Sequence, residues 1–510
     1  MMDIFHHLFF GLQVAVQPVN LLFCFIGVLI GTLVGVLPGL GPVAAISLLL
    51  PATFHAPPVA SIIMLSGIYY GAMYGGSTTS ILVNIPGEAA SVVTTLDGYQ
   101  MARQGRAGAA LGISAFGSFI AGTLAVVGLA FLAPPLAGVA LKFGPPEYFA
   151  LMILGLTVLT FLAGGSMVKS LMMACVGVIV GNIGLDLVAA QPRFTFGLDI
   201  LLDGVGLVPL VMGLFGVSEV LINIEEKLDK RAVFETKVRG LLPNRKDWQE
   251  SIGPILRGSI LGFFLGILPG GGAVISSFVS YGVEKKLSRH PETFGKGAIA
   301  GVAGPEAANN SATAGAFIPL LTLGLPSNAV MAILLGALMI YGMPPGPNLI
   351  SAHPQLFWGT IASMYIGNLL LLVLNLPLIG LWVKILKIPY PILFPLILLF
   401  CLIGAYSLNA NVAEVGLMIF FGLLGYLMKK FRYDGAPLVL AMVLGPLLDN
   451  SLRQSLLLSG GSPMIFITRP ICLAVFSVVL VILILPLLKL RKIPEERTSY
   501  GGWHDDKTVK

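Results

Sequence analysis

Charge is scarce in this chain. Only 11% of its 510 residues are Asp, Glu, Lys or Arg, whereas 56% are hydrophobic, and the mean hydropathy is +0.92. A soluble domain carries about 25% charged residues. A soluble body this apolar could not cover its own surface, which excludes a soluble enzyme or binding module. The formal charge is +6 and the pI near 9. No basic patch interleaved with aromatics accompanies it, so nucleic acid is not the expected partner. Cysteine is also scarce. Cys24, Cys175, Cys401 and Cys472 each sit in an apolar segment, without CxxC or metal-ligand spacing, and read as small core residues. The six histidines form no HExxH or i,i+4 pair, and His6, His7 and His55 read as interfacial. No glycine run is followed by the Lys-Ser/Thr of a phosphate-binding loop. No serine stands in a nucleophile elbow. An enzyme, or transport driven by ATP hydrolysis within this chain, is therefore not expected.

Long apolar runs are plentiful. Leu21–Val36, Phe149–Leu162, Leu369–Val383 and Ile471–Leu488 each approach the roughly 20 residues that cross a bilayer core. The pattern predicts an all-α polytopic membrane protein with about 10–12 transmembrane spans. The N-terminus lacks a basic region and a cleavage site, so no cleaved signal peptide is expected and Met1–Val19 reads as interfacial. One long charged stretch, 222–251, divides the chain nearly in half and reads as a cytoplasmic linker between a first half, 1–221, and a second half, 252–488. Further Lys/Arg clusters at Arg103/Arg106, Lys285–Lys296, Lys429–Arg432 and the tail 489–510 also read as cytoplasmic. The spans counted between these anchors keep a consistent parity.

An internal repeat is the most informative feature. Gly31-x3-Gly35-x-Leu37-Pro38-Gly39-x-Gly41 reappears with identical spacing as Gly262-x3-Gly266-x-Leu268-Pro269-Gly270-x-Gly272. Downstream, Gly75–Thr79 is echoed by Asn309–Thr313, and Asn84–Gly87 by Gly324–Ser327. The first copy follows a segment without Lys or Arg and the second follows the basic linker, so the repeats are expected to be inverted in topology. Inverted repeats with broken helices and re-entrant hairpins characterise many secondary transporters.

The breaks carry the chemistry. Proline removes a hydrogen-bond donor and glycine frees the backbone. An interrupted helix then exposes amides at one half-helix and carbonyls at the other, suited to anions and cations respectively. Ser77, Thr78, Thr79, Asn84, Pro86 and Gly87 in the first copy are candidate substrate-binding residues. So are Asn309, Asn310, Ser311, Thr313, Pro326, Ser327 and Asn328 in the second. Their hydroxyls and amides can hold carboxylate oxygens. Gly39, Gly41, Gly270, Gly271 and Gly272, with Glu88 and Glu306, are candidates for cation coupling, with Na⁺ at the same loops. The bland alternatives are helix kinks, interhelical hydrogen bonds and, for the two acids, half-helix caps. Hydroxyl–carbonyl sites suit Na⁺, whereas either acid can carry a proton, and both remain open. Asp97 with Arg103 is expected near the cytoplasmic surface in a solvated role. Asp186, Arg193, Asp199 and Asp203 frame an external loop and are expected to be solvated.

Four segments carry a resemblance. They read GTLVGVLPGLGPVAAISLLLP at Gly31–Pro51, YGAMYGGSTTSILVNIPGEAASVVTTLDGYQMARQG at Tyr70–Gly105, LPGGGAVISSFVSYGVE at Leu268–Glu284, and the run Gly295–Asn348 containing GPEAANNSATAG and GLPSNA. Over essentially its full length the chain resembles the large membrane subunit of the tripartite tricarboxylate transporter family, TctA-like. The resemblance implies a multi-pass protein of the bacterial inner membrane. It implies two partners, a small membrane subunit (TctB-like) and a periplasmic solute-binding protein (TctC-like). It implies import of citrate or another carboxylate, driven by an ion gradient and needing no cofactor beyond the coupling ion. Related TRAP-type transporters imply an elevator mechanism. An ion exchanger or channel built on the same repeat is the alternative, ahead of an assembly protein or an intramembrane enzyme.

Overall fold

The computed structural model describes residues 2–37, 41–162, 166–186, 191–225, 240–270, 272–385 and 390–489. Gly39 and Gly271, most of the charged linker and nearly all of the basic tail lie outside them. The described chain is helical apart from a two-stranded hairpin pairing Gly184–Leu185 with Pro192–Arg193. Among the described residues, seven helices are long and apolar enough to cross a membrane, and six shorter apolar helices of 10–17 residues accompany them. This is the all-α polytopic membrane protein that the composition demands.

The first copy comprises α1 (Met2–Ala15), α2 (Pro18–Val36), α3 (Gly41–Leu49), α4 (Pro58–Val83), α5 (Val92–Arg103) and α6 (Ala107–Ala140). Proline at the first turn starts α2 and α4, where its missing N–H costs nothing. α4 ends at Asn84, in a left-handed conformation with φ 58°. Next come α7 (Pro145–Leu162), α8 (Met167–Gly181), α9 (Leu207–Val211) and, after a π-helical turn at Met212–Val217, α10 (Ser218–Glu225).

The second copy runs through α11 (Arg245–Ile267), α12 (Gly272–Leu287), α13 (Ala300–Gly315), α14 (Phe317–Leu323) and α15 (Ala329–Ile340), then α16 (Leu349–Ala352) and α17 (Pro354–Asn375). α11 starts inside the segment read as linker. Asn244 and Asp247 form a reciprocal capping box there, at 2.9 and 3.0 Å. The chain closes with α18 (Ile379–Ile385), α19 (Tyr390–Asn409), α20 (Val412–Lys430), α21 (Ala436–Leu458), α22 (Ile465–Thr468) and α23 (Pro470–Lys489). α7, α8, α21 and α23 pack together as one outer group, and α9, α10, α19 and α20 as another.

The repeat has a physical basis in helix contact. In the first copy α2 lies on α4 so closely that a Cβ on Gly27, Gly31 or Gly35 would meet the carbonyl oxygen of Met64, Ile68 or Ala72 at 2.2–2.6 Å. In the second copy Gly258, Gly262 and Gly266 stand in the same way against Gly304, Ala308 and Ala312, at 2.1–2.4 Å. Gly75 meets Thr32 as Gly315 meets Phe263. Small residues at every crossing are what a close membrane helix pair requires. This register matches Asn84 with Gly324, both left-handed, and Glu88 with Asn328, both N-caps. It does not match Gly75–Thr79 with Asn309–Thr313. Tyr69 and Tyr70 are the counterparts of Asn309 and Asn310. The expected echo aligned polar residues, whereas the register is set by where backbones touch.

Candidate functional site

α13 of the second copy packs against α4, α5 and α6 of the first. A buried polar cluster fills this contact. Glu306, on the first half of α13, is fully buried. Its Oε2 accepts the hydroxyl of Ser77 on α4, and its Oε1 accepts that of Thr94 on α5. The side chains of Ser114 on α6 and Asn309 also face it. One turn further along α13, the amide nitrogen of Asn310 reaches Ser118 Oγ at 2.8 Å, the Glu306 carbonyl at 3.0 Å and Asn309 Oδ1 at 2.7 Å. Asn310 Oδ1 and Asn309 Nδ2 are buried without a partner. Groups like these are costly to bury and are usually satisfied.

Two small cavities adjoin the cluster. One, of about 20 Å³, is lined by Tyr70, Tyr74, Asn310, Thr313, Phe317 and Asn368, and holds room for about one water. Tyr74 donates to Asn368 Oδ1 at 2.6 Å across it. The other, of about 10 Å³, lies between Tyr74, Ser77, Thr78, Ser114 and Asn375. Neither cavity is lined by Lys, Arg or His.

The remaining candidates divide by what they touch. Thr79 donates to the Val36 carbonyl at 2.7 Å and Ser311 to the Ser259 carbonyl at 2.5 Å, so both brace α2 or α11. Ser77–Thr79 lie inside unbroken α4 and Asn309–Thr313 inside α13. The turns come later, at Asn84–Gly87 and Pro326–Ser327, so of the candidate segments these lie at turns whereas Ser77–Thr79 and Asn309–Thr313 are mid-helix positions. Each turn docks on its own copy's break. A Cβ on Gly87 would stand 2.0 Å from the Gly35 carbonyl oxygen, and the Gly270 N–H donates to the Ser327 carbonyl at 2.7 Å. Asn328 caps α15 and donates to the Tyr69 hydroxyl at 3.1 Å. Gly41, Gly270 and Gly272 hold φ of 54°, 97° and 30° at the breaks, where glycine is the tolerated residue. Glu88 is a buried N-cap whose Oε2 accepts the Ala90 N–H at 2.5 Å, which is the capping reading of that acid.

Asp97 departs from its expected solvated role. It is fully buried on α5. Its Oδ1 accepts the N–H groups of Gly295, Gly297 and Ala298 at 2.8–2.9 Å, and its Oδ2 accepts the Tyr281 hydroxyl at 2.9 Å. The neighbouring Arg103 is exposed. Asp97 thus fixes the loop that leads into α13, while Glu306 of α13 is held by Ser77 and Thr94 of the first copy. Asp97→Ala removes the acceptor of three part-buried N–H groups and of the Tyr281 hydroxyl, each bond worth about 1 kcal/mol. It is expected to destabilise the protein by about 3 kcal/mol or more, with Asp97→Asn milder. Thermal unfolding of the purified variants checks the order.

Asp186 and Arg193 also depart from solvation. They close an ion-pair ring with Asp449 and Arg453, with contacts of 2.9–3.1 Å, beside a cavity of about 410 Å³. Asp199 and Asp203 are exposed.

Comparison with known proteins places the chain. Residues 21–440 match the tripartite tricarboxylate transporter TctA family. The chain is similar to an uncharacterised 52.8 kDa protein of Agrobacterium vitis from the TAR-I ttuC′ 3′ region, 54% identical over 96% of this chain and 97% of that protein. It is also similar to a protein of the same organism from the TAR-II ttuC′ 3′ region, 55% identical over 44% of this chain and 94% of that protein. No solved structure matches. The multi-pass helical fold and the match across most of its length agree, and the chain belongs to the tripartite tricarboxylate transporter TctA family.

Proposed function

We propose that the chain is the large permease subunit of a binding-protein-dependent secondary transporter of the bacterial inner membrane. It imports citrate-like tricarboxylates or related carboxylates by cation symport, with elevator-type alternating access. Its partners are a small membrane subunit (TctB-like) and a periplasmic solute-binding protein (TctC-like). The carrying observation is the cluster around Asn310, where amide and hydroxyl groups of both copies meet inside the bundle without a cationic side chain. Neutral donors hold an anion without trapping it, as release on the far side requires. The cavities are too small for a tricarboxylate, so in this reading the bundle must open to admit one. The turns at Asn84–Gly87 and Pro326–Asn328 offer half-helix N–H groups to the same anion once the bundle opens.

Reconstitution with the small subunit and the binding protein tests this. Labelled citrate and other di- and tricarboxylates are offered under an inward Na⁺ or H⁺ gradient. Concentrative uptake that needs both the binding protein and the gradient is expected. Passive flux without either would instead establish a channel or exchanger.

A further inference from the structure

Six acids among the described residues are buried: Glu88, Asp97, Glu147, Asp247, Glu284 and Glu306. Four have an evident source of compensation. Asp247 pairs with Arg106 at 2.5 Å, Glu284 with Arg257 at 2.5 Å and Glu147 with Arg469 at 3.1 Å. Asp97 takes three backbone N–H groups. Glu88 caps a helical turn through the Ala90 N–H but leaves its Oε1 buried without a partner. Glu306 is hydrogen-bonded only by neutral side chains, the buried acid Glu88 is near enough to add like charge, and no ion pair among the described residues falls on it. An ionised carboxylate buried without a counter-charge is costly by several kcal/mol or more. Something positive must accompany it.

We propose that Glu306, with the hydroxyl oxygens of Ser77, Thr94 and Ser114, binds a hard monovalent metal cation of the Na⁺ class. This deepens the symport reading by locating the coupling ion between the two copies instead of at the glycine breaks. The convergence of oxygens carries the choice of ligand. Hydroxyls arrive from α4, α5 and α6. A hard cation takes several oxygen ligands of this kind. Ser and Thr hydroxyls can also serve a protonated carboxylic acid, one accepting its O–H and another donating to its C=O, but three hydroxyl oxygens on one carboxyl are more than that proton needs. Each hydroxyl has one hydrogen and two lone pairs. In the empty site these hydroxyls solvate the carboxylate, and in the loaded site they rotate their lone pairs onto the ion. A single carboxylate balances a single positive charge. No group of three or more His, Cys, Asp or Glu that could hold a multivalent metal occurs among the described residues.

Asn309 is fully buried and faces Glu306, and its amide N–H is a donor available to the carboxylate, not an ion ligand. Its neighbour Asn310 bonds both Asn309 and the Glu306 carbonyl, and lines the larger of the two cavities. An ion on Glu306 therefore acts on Asn310 directly, which supplies a route for coupling.

The test uses the purified full chain in detergent, with no carboxylate present. Equilibrium binding of ²²Na⁺ and thermal unfolding in NaCl against choline chloride are measured for the natural protein, Glu306→Gln and Thr94→Val. The natural protein is expected to bind Na⁺ saturably and to unfold at higher temperature in Na⁺. Glu306→Gln is expected to lose both effects. Thr94→Val, which keeps the carboxylate and the side-chain volume, should raise half-saturation by about tenfold, the equivalent of one hydrogen bond to a charged group. Thr94→Val also reads the site if Glu306→Gln fails to fold. Unaltered Na⁺ binding in both variants would overturn the site. Stabilisation by acid alone, with no Na⁺ effect, would overturn the metal in favour of a proton. Failure of carboxylate uptake would leave this binding result untouched, so the two readings fail separately.

Discussion

Asn310→Ala is expected to cut carboxylate uptake by about 10²-fold, while the protein still inserts and purifies as a monodisperse species. Interhelical and backbone hydrogen bonds account for the Asn310 amide nitrogen but not for its oxygen. Its amide nitrogen bridges Ser118, Asn309 and the Glu306 backbone, and its oxygen is buried beside the cavity without a partner. A hydrogen bond to a charged group is worth about 1.5–3 kcal/mol, and two such bonds to a substrate carboxylate correspond to about 10²-fold or more. Asn310→Asp should be worse, since it places a second acid beside Glu306 and repels the anion. Thr79→Val gives the contrast. Thr79 braces the end of α2 through the Val36 carbonyl and does not line either cavity. Its loss should lower thermal stability by about 1 kcal/mol and leave uptake largely intact. Normal uptake by Asn310→Ala would move the substrate site elsewhere.

The sequence made the membrane class, the two glycine breaks and the pairing of Asn84 with Gly324 legible, because each leaves a local signature in composition or spacing. Glu306 was legible as an acid out of place in an apolar run. Its environment was not. Ser77, Thr94 and Ser114 come from three helices, and in sequence each resembles any helical hydroxyl bonded to its own backbone. Tyr74 and Asn368 meet across the bundle from positions far apart in the chain. One signal was available: Thr94, Asp97, Gly98 and Met101 fall on one face of α5, so polar groups share the face that Met101 buries. Asp97 was misplaced because nearby arginines suggest a surface. The loop that buries it arrives from the second copy, which no local pattern reports.

Gly262→Ala is expected to cost about 3 kcal/mol, the upper end of what overpacking usually costs. The added Cβ would stand 2.1 Å from the Ala308 carbonyl oxygen and 2.7 Å from its Cα and carbonyl carbon. These are backbone atoms of a buried helix, so no rotamer change relieves the contact and α11 must separate from α13. Separation would disturb the helix that carries Glu306 and Asn310, so uptake should fall together with stability. Gly35→Ala, at 2.2 Å from the Ala72 carbonyl oxygen, should behave in the same way. Gly138→Ala and Gly282→Ala are the controls. A Cβ at either meets nothing within 4 Å, and helix propensity favours alanine by up to about 1 kcal/mol. Thermal unfolding of the four variants in one detergent decides the matter. If Gly35→Ala and Gly262→Ala fall together while the controls hold or rise, the repeat is a contact register shared by both copies. If one falls and the other does not, the spacing shared by the two motifs has a different cause in each, and the match of Asn84 with Gly324 loses its basis.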